Sequence, residues 1–176
     1  RDYAYNACAA FCIGIDMGLD PSQIVDGLEK YEGFGGRFQV MNIDENVSII
    51  NDAYNANPTS MKMSVETFSE LYKDEDKEEI LILGDMRALG QYTEEEHKKI
   101  GKLVQDLGFD ISNVYYLGEY FDYFNYGNRL NSLDDAVKLI NRYIQEKRKA
   151  IFLIKGSHST ELYKVAELIT PPDISA

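Results

Sequence analysis

The chain has 176 residues, 44% of them hydrophobic, which suffices for one α/β domain of ordinary size plus a small appendage. Its formal net charge of -12 opposes nucleic acid and anionic membrane, both of which require a basic footprint on the protein. A small phosphate ligand stays possible, because it needs only a few N–H groups and one or two cations.

No apolar run reaches the ~20 residues of a membrane span, and no signal peptide is visible at Arg1. Two cysteines, Cys8 and Cys12, build neither a disulfide framework nor a zinc site. A reducing cytoplasm is the expected location. The chain opens without methionine inside a helical pattern, which is expected of a piece of something longer.

Tyr3 to Met17 is apolar at nearly every position and predicts a well-buried helix closed by Gly18, with Cys8 and Cys12 on one face as small buried hydrophobes. Asp20-Pro21 supplies an N-cap and a first-turn proline for a second helix to about Lys30. Glu32-Gly33-Phe34-Gly35-Gly36 is the most glycine-dense segment and the candidate boundary between residues 1–35 and 36–176. Phe38 to Ile43 and Val47 to Asn51 read as strands joined by the turn Asp44-Glu45-Asn46.

Strands and helices then alternate. Helices are expected at Ser60–Tyr72, Thr93–Leu107, Leu133–Glu146 and Thr160–Ile169, and strands at Glu79–Leu83, Asn113–Leu117 and Ala150–Ile154. This order predicts a Rossmann-like α/β fold: a mostly parallel sheet with helices on both faces, preceded by a short helical segment. Tyr120 to Asn131 fits no element, and Pro171-Pro172 ends the pattern.

Ligands of open α/β sheets collect at the carboxyl ends of the strands. Three such corners here are polar: Asp52 to Pro58, Gly84-Asp85-Met86-Arg87, and Lys155-Gly156-Ser157-His158-Ser159. Each also reads as ordinary turn and cap chemistry. Gly35-Gly36-Arg37 is either a linker with a solvated arginine or a glycine-shaped approach that aims a guanidinium at a phosphate. His97 is either a surface histidine or one packed at a helix start against Thr93 and Glu96. No nucleophile elbow, G-x-x-x-x-G-K-[ST] or G-x-G-x-x-G occurs, so no catalytic residue and no metal ligand is assigned.

Asn51-Asp-Ala-Tyr-Asn-Ala-Asn-Pro-Thr-Ser-Met61 resembles a signature of the Mur ligases, in the branch that adds D-alanyl-D-alanine to UDP-N-acetylmuramoyl-tripeptide. Leu83-Gly84-Asp85-Met86, Leu89-Gly90, His97 with Gly101, Lys155-Gly156-Ser157, Gly36-Arg37 and Asn6-Ala7-Cys8-Ala9-Ala10 follow in matching order across residues 6–168. Asp2 and Tyr3 stand where that branch has His-Asn, and Ser157-His158-Ser159-Thr160 matches the last motif in part.

The resemblance implies an ATP-dependent ligase of three domains, with residues 1–35 ending the central ATPase domain and 36–176 forming the C-terminal domain. ATP phosphorylates the peptide carboxylate, and the incoming amine attacks the acyl phosphate, aided by Mg2+ and a carbamylated lysine of the central domain. It implies Asn6 on adenine, Arg37 on the ATP phosphates and Asp52 on the ribose, with Tyr54 and Asn55 lining the cleft. Asn57, Asp85, Lys155 and Ser157 would serve the incoming dipeptide. The implied partners are the UDP-tripeptide, D-alanyl-D-alanine and the preceding domains of the same protein. A ligase with another substrate, in pseudomurein or cofactor assembly, and a non-catalytic flavodoxin-like binding or receiver module are the alternatives.

Overall fold

In a computed structural model the chain divides into two compact units, Arg1–Gly33 and Phe34–Ala176. The structure describes residues 2–31, 35–73 and 76–169; the first part of the expected glycine hinge and the Pro171-Pro172 ending lie outside the described residues.

The first unit is a pair of helices, α1 (Asp2–Asp16) and α2 (Pro21–Glu29). Gly18, at φ +81, ends α1 in the left-handed conformation, and the amides of Gly18 and Leu19 donate to the carbonyls of Ile15 and Gly14. That is the Schellman closure, which only a residue without Cβ adopts cheaply. Asp20 caps α2 through the Ser22 amide, and the Gln23 side chain answers with a reciprocal bond to the Asp20 amide. Gly14 is tight against Ile24, the buried contact between the helices.

The expected burial of α1 does not hold within this unit. Cys8 and Cys12 are exposed, as are Tyr5, Ile13 and Met17. Two helices have one mutual face, so a helix apolar all round leaves most of its surface uncovered within such a pair.

The second unit is built on a six-stranded sheet in the order β1-β2-β6-β3-β4-β5. β1 (Gln39–Asn42) runs antiparallel to β2 (Val47–Asn51). The remaining neighbours, β6 (Ala150–Lys155), β3 (Glu78–Gly84), β4 (Val114–Leu117) and β5 (Asn128–Leu130), are all parallel. The expected mostly parallel sheet is therefore present. Parallel strands covered on both faces read as continuous apolar runs, and β6, buried at all six positions, is the clearest case.

Alternation along each strand sends Val47, Ile49, Ile80, Ile82, Phe152 and Ile154 to one core, under α6 (Leu133–Gln145) and α7 (Tyr163–Ile169). Ile50, Leu81, Leu83, Ile151 and Leu153 face the other core, under α3 (Pro58–Tyr72), α4 (Thr93–Asp106) and the short α5 (Phe121–Phe124).

Two departures from the sequence reading bear on the site. The last helix begins at Tyr163, because Glu161 turns left-handed (φ 57) after a 3-10 turn over His158–Thr160. Ser157 thus precedes that turn and does not cap α7. The unplaced segment Tyr120 to Asn131 is α5 plus β5, held against α4 by a close approach at Gly101: a Cβ there would lie 1.9 Å from the Phe124 carbonyl oxygen.

Candidate functional site

All three polar corners lie at the carboxyl ends of neighbouring strands, and backbone bonds tie them together. The Asp52 amide donates to the Ile154 carbonyl, and the Ser157 amide donates to the Asp85 carbonyl. The loop after β6 is the bridge between the other two.

Asn57 caps α3 by accepting from the Ser60 amide, with Pro58 at the first turn, so its side chain serves the helix end. Asp52 is the centre of the first corner. Its Oδ1 accepts from the Phe38 amide at 2.9 Å, and its Oδ2 accepts from Ser64 Oγ at 2.8 Å and Lys155 Nζ at 2.7 Å. A carboxylate offers about four lone-pair sites, so one, on Oδ1, is left for a further donor. The Asp52 side chain keeps 15% of its surface, which makes that site reachable.

Lys155 sits inside the fold, 2% exposed. Besides Asp52 Oδ2, its ammonium donates to the carbonyls of Asp52 (3.3 Å) and Asn55 (3.1 Å). An ammonium has three donors, and all are used. The expected bond from Lys155 to a dipeptide carboxylate is therefore not available in this arrangement.

Tyr54 and Asn55 are exposed on the same loop. The Arg37 guanidinium lies over the Tyr54 ring at 4.7 Å from its centroid. Gly36, at φ +77, accepts from the Tyr54 amide, and a Cβ there would meet Tyr54 at 3.3 Å. Gly36 is thus a close-approach glycine that places Arg37 on an exposed aromatic face. Asn6 is exposed on α1, in the first unit.

Asp85 is wholly buried. It accepts from Tyr116 Oη (2.9 Å) and from the amides of Glu119 and Tyr120 (both 3.1 Å), and it pairs with Arg87 Nη2 at 3.1 Å. Burial, with the Asp85 charge beside it, pushes the Tyr116 hydroxyl well up, so Tyr116 stays a donor. Gly118, at φ +154, lets the β4 loop run over this carboxylate, where a Cβ would sit 2.1 Å from Oδ1. Asp85 is saturated by the protein itself. It lies in the floor of the cleft above it, with its lone pairs taken by protein donors.

Above it opens a cleft of about 290 Å³, lined among others by Arg87, Glu119, Arg129, Asn131, Ser159 and Thr160. Arg87 is 38% exposed; its Nη1 lies 3.3 Å from both Glu119 Oε2 and Tyr120 Oη, while no acceptor among the described residues meets its Nε. The neighbouring carboxylates hold the guanidinium pKa above its usual value, so it is always charged. Its Nε is buried, so only the part-exposed Nη end of this planar cation, beside two hydroxyl residues, is placed to meet a carboxylate. Ser157 is buried, its Oγ 3.0 Å from Ser159 Oγ, so it backs this wall.

The sequence assigns Arg129 and Thr160 no site role, and Arg87 and Ser159 only membership of a corner. Arg87 had one local signal, its place just past β3. Arg129 had none, since β5 is three residues long.

His97, on α4, is 1% exposed and packs behind the second corner. Its Nε2 accepts from the Met86 amide at 3.0 Å, which leaves the proton on Nδ1, 2.6 Å from the Thr93 carbonyl. Burial lowers its pKa below the usual value near 6.5. The folded state then binds fewer protons than the unfolded one. This stabilisation is complete above pH ~6.5 and is lost as pH falls below that toward the folded-state pKa. The expected result is that urea stability of wild type declines from pH 7 to 5 more steeply than that of His97→Gln, itself less stable at pH 7. Parallel curves would exclude His97 as the cause.

Among the described residues no group of three or more His, Cys, Asp or Glu is placed to hold a metal ion. Asp85 has all its lone pairs taken and Asp52 keeps one, so these residues do not supply the ligand set of a magnesium site. No helix among the described residues is long and apolar enough to cross a membrane.

The family described as Mur ligase, glutamate ligase domain matches residues 36–158, and the chain belongs to that family. The UDP-N-acetylmuramoyl-tripeptide–D-alanyl-D-alanine ligase of Bacillus subtilis (strain 168) is 39% identical over 99 residues, covering 56% of this chain and 21% of the relative. The ligase of the same name from Haemophilus influenzae is 26% identical over 165 residues, 91% of this chain and 35% of the relative. A crystal structure of MurF from Acinetobacter baumannii aligns with a TM-score of 0.79 at 24% identity, over 95% of this chain and 37% of that one, which shows a shared fold. The MurF ligase of Thermotoga maritima in complex with ADP aligns at 0.69 and 21% identity, over 91% of this chain and 36% of that one. The chain spans between a fifth and about a third of the length of these curated relatives.

Proposed function

We propose that this chain is the C-terminal part of an ATP-dependent ligase that joins D-alanyl-D-alanine to UDP-N-acetylmuramoyl-tripeptide in cytoplasmic peptidoglycan assembly. The observation that carries this reading is the single rim holding the Asn51–Pro58 loop and the arginine-lined cleft, in a chain whose relatives bear that ligase's name.

In this reading residues 1–35 end the central ATPase domain and 36–176 close over the reaction. Asn6 meets the adenine. Arg37 extends from the Tyr54 ring to the ATP phosphates, where a guanidinium offers a matching fork. Asp52 accepts one ribose hydroxyl on its remaining Oδ1 lone pair, and Tyr54 and Asn55 line that side. The dipeptide's carboxylate lies on Arg87, with Ser159 beside it; Asn57, Asp85, Lys155 and Ser157 hold the surrounding loops in place. ATP phosphorylates the tripeptide carboxylate, and the neutral amine of the dipeptide attacks the acyl carbon and expels phosphate. This chain contributes the grip on nucleotide and dipeptide; magnesium and the acid–base chemistry belong to other parts of the ligase.

The test is phosphate release by the full-length protein given ATP, UDP-tripeptide and D-alanyl-D-alanine, with each omitted in turn. Release should require all three, and the 176-residue chain alone should give none. Turnover indifferent to D-alanyl-D-alanine, or supported as well by a single amino acid, would sink the assignment.

A further inference from the structure

We infer that Lys155 is a positioning residue that locks the nucleotide-side loop to the central strand, and that it is not a ligand of the incoming carboxylate. This rests on the reading of the rim given above.

Lys155 ends β6, flanked by β2 and β3. From there its side chain reaches back about 100 residues in sequence to bond the Asp52 carboxylate, the Asp52 carbonyl and the Asn55 carbonyl. These contacts bracket Ala53 and Tyr54, so the ammonium staples the turn that carries the Tyr54–Arg37 stack. At 2% exposure it has no face for solvent or ligand. Ser64, 4% exposed on α3, adds its hydroxyl to the same Asp52 oxygen.

The Asp52 carboxylate is consequently fixed by three donors from three separate places: Phe38 before β1, Ser64 on α3 and Lys155 on β6. Its free lone pair points one way because the others are pinned. One residue farther along, Gly156 allows no side chain: a Cβ would meet Thr160 Oγ1 at 2.7 Å and Gly84 Cα at 3.3 Å. The β6 loop is therefore rigid on its dipeptide side by packing, and on its nucleotide side by Lys155. Losing the ammonium loosens the second side and leaves the first.

The experiment uses the full-length protein, with ADP binding by calorimetry and the KM for D-alanyl-D-alanine as separate readouts. Lys155→Met should raise the ADP Kd by about tenfold or more, equivalent to the loss of one charge-assisted contact network. The dipeptide KM should stay within about threefold, a split that a general loss of folding does not produce. If Lys155→Met does not fold, Ser64→Ala decides: it removes one of the same three donors without a charge change and should raise the ADP Kd by about two- to fivefold. An unchanged ADP Kd in the folded variant overturns the inference. So does a dipeptide KM that rises more than about tenfold while ADP binding holds, since Lys155 would then be the carboxylate ligand. If wild type binds no ADP, the ligase reading falls and this inference falls with it.

Discussion

Replacing Asp85 by alanine should lower unfolding stability by about 3–5 kcal/mol, the cost of breaking a buried and fully paired carboxylate network. The carboxylate accepts from a buried tyrosine hydroxyl and two backbone amides and pairs with Arg87. An alanine leaves those donors facing a void, at about 1–3 kcal/mol for each that finds no water. Arg87 contributes less to the loss, because it is part-exposed and keeps Glu119. The corresponding fall in Tm is roughly 10 °C for a domain of this size. The chain has no tryptophan, so circular dichroism in urea is the suitable measurement. A loss under about 1 kcal/mol would mean that the β4 loop is held by something other than Asp85. Asp85→Asn should recover only part, since its NH2 would face either the Glu119 amide and Arg87 or the Tyr116 hydroxyl and the Tyr120 amide, donor against donor.

The second large effect is expected at Arg87. In the full-length protein Arg87→Ala should raise the KM for D-alanyl-D-alanine by a factor of roughly 30 to 150, about 2–3 kcal/mol for a charge-assisted bond to a carboxylate. ADP affinity should change little, because Arg87 belongs to the cleft side of the rim. Stability should fall much less than in Asp85→Ala, since Asp85 keeps its three other donors. Arg87→Lys should recover only part of the affinity, because an ammonium preserves charge and loses the planar fork. An unchanged dipeptide KM in a folded Arg87→Ala protein would move the carboxylate to another site, Arg129 first. Together with Lys155→Met, this variant separates the two sides of the β6 loop by which substrate suffers.

The sheet was readable because its determinants are local. Val47 to Asn51, Glu79 to Leu83 and Ala150 to Ile154 are short apolar runs, and such runs between helical patterns leave few alternatives to parallel strands. The three corners were readable for the same reason, as polar residues at strand ends. What each corner residue touches was not. The ligand role of Lys155 came from the family resemblance alone, and nothing local in the sequence shows its burial, because the partners that bury it lie 100 or more residues earlier.

The family resemblance puts Asp85 near the dipeptide, and nothing local in the sequence shows that the Gly118 loop would run over its carboxylate, a contact spanning more than 30 residues. The segment from Tyr120 to Asn131 carried no periodic signal, since a four-residue helix, a left-handed Asn125 and a three-residue strand are each too short for one. Gly101 fixes it, and a single glycine in a helix says nothing about what will pass over it. The sequence admits two readings of His97, and its neighbours Tyr116 and Tyr120, again from β4 and its loop, decide for the packed one.

The antiparallel β1 has a further consequence. Its partner β2 is buried at all five positions, so without β1 the sheet would end in a bare row of amides and carbonyls beside isoleucines. Such an edge is a template for pairing with a second copy of the same chain. β1 is four residues long, with every second side chain in solvent, and offers a far poorer template. The hairpin therefore guards the protein against self-association, and it is pinned at its start by the same Asp52 that faces the nucleotide side. A variant that loosens Asp52 would weaken that guard as well, so aggregation and lost affinity would arise together from one carboxylate.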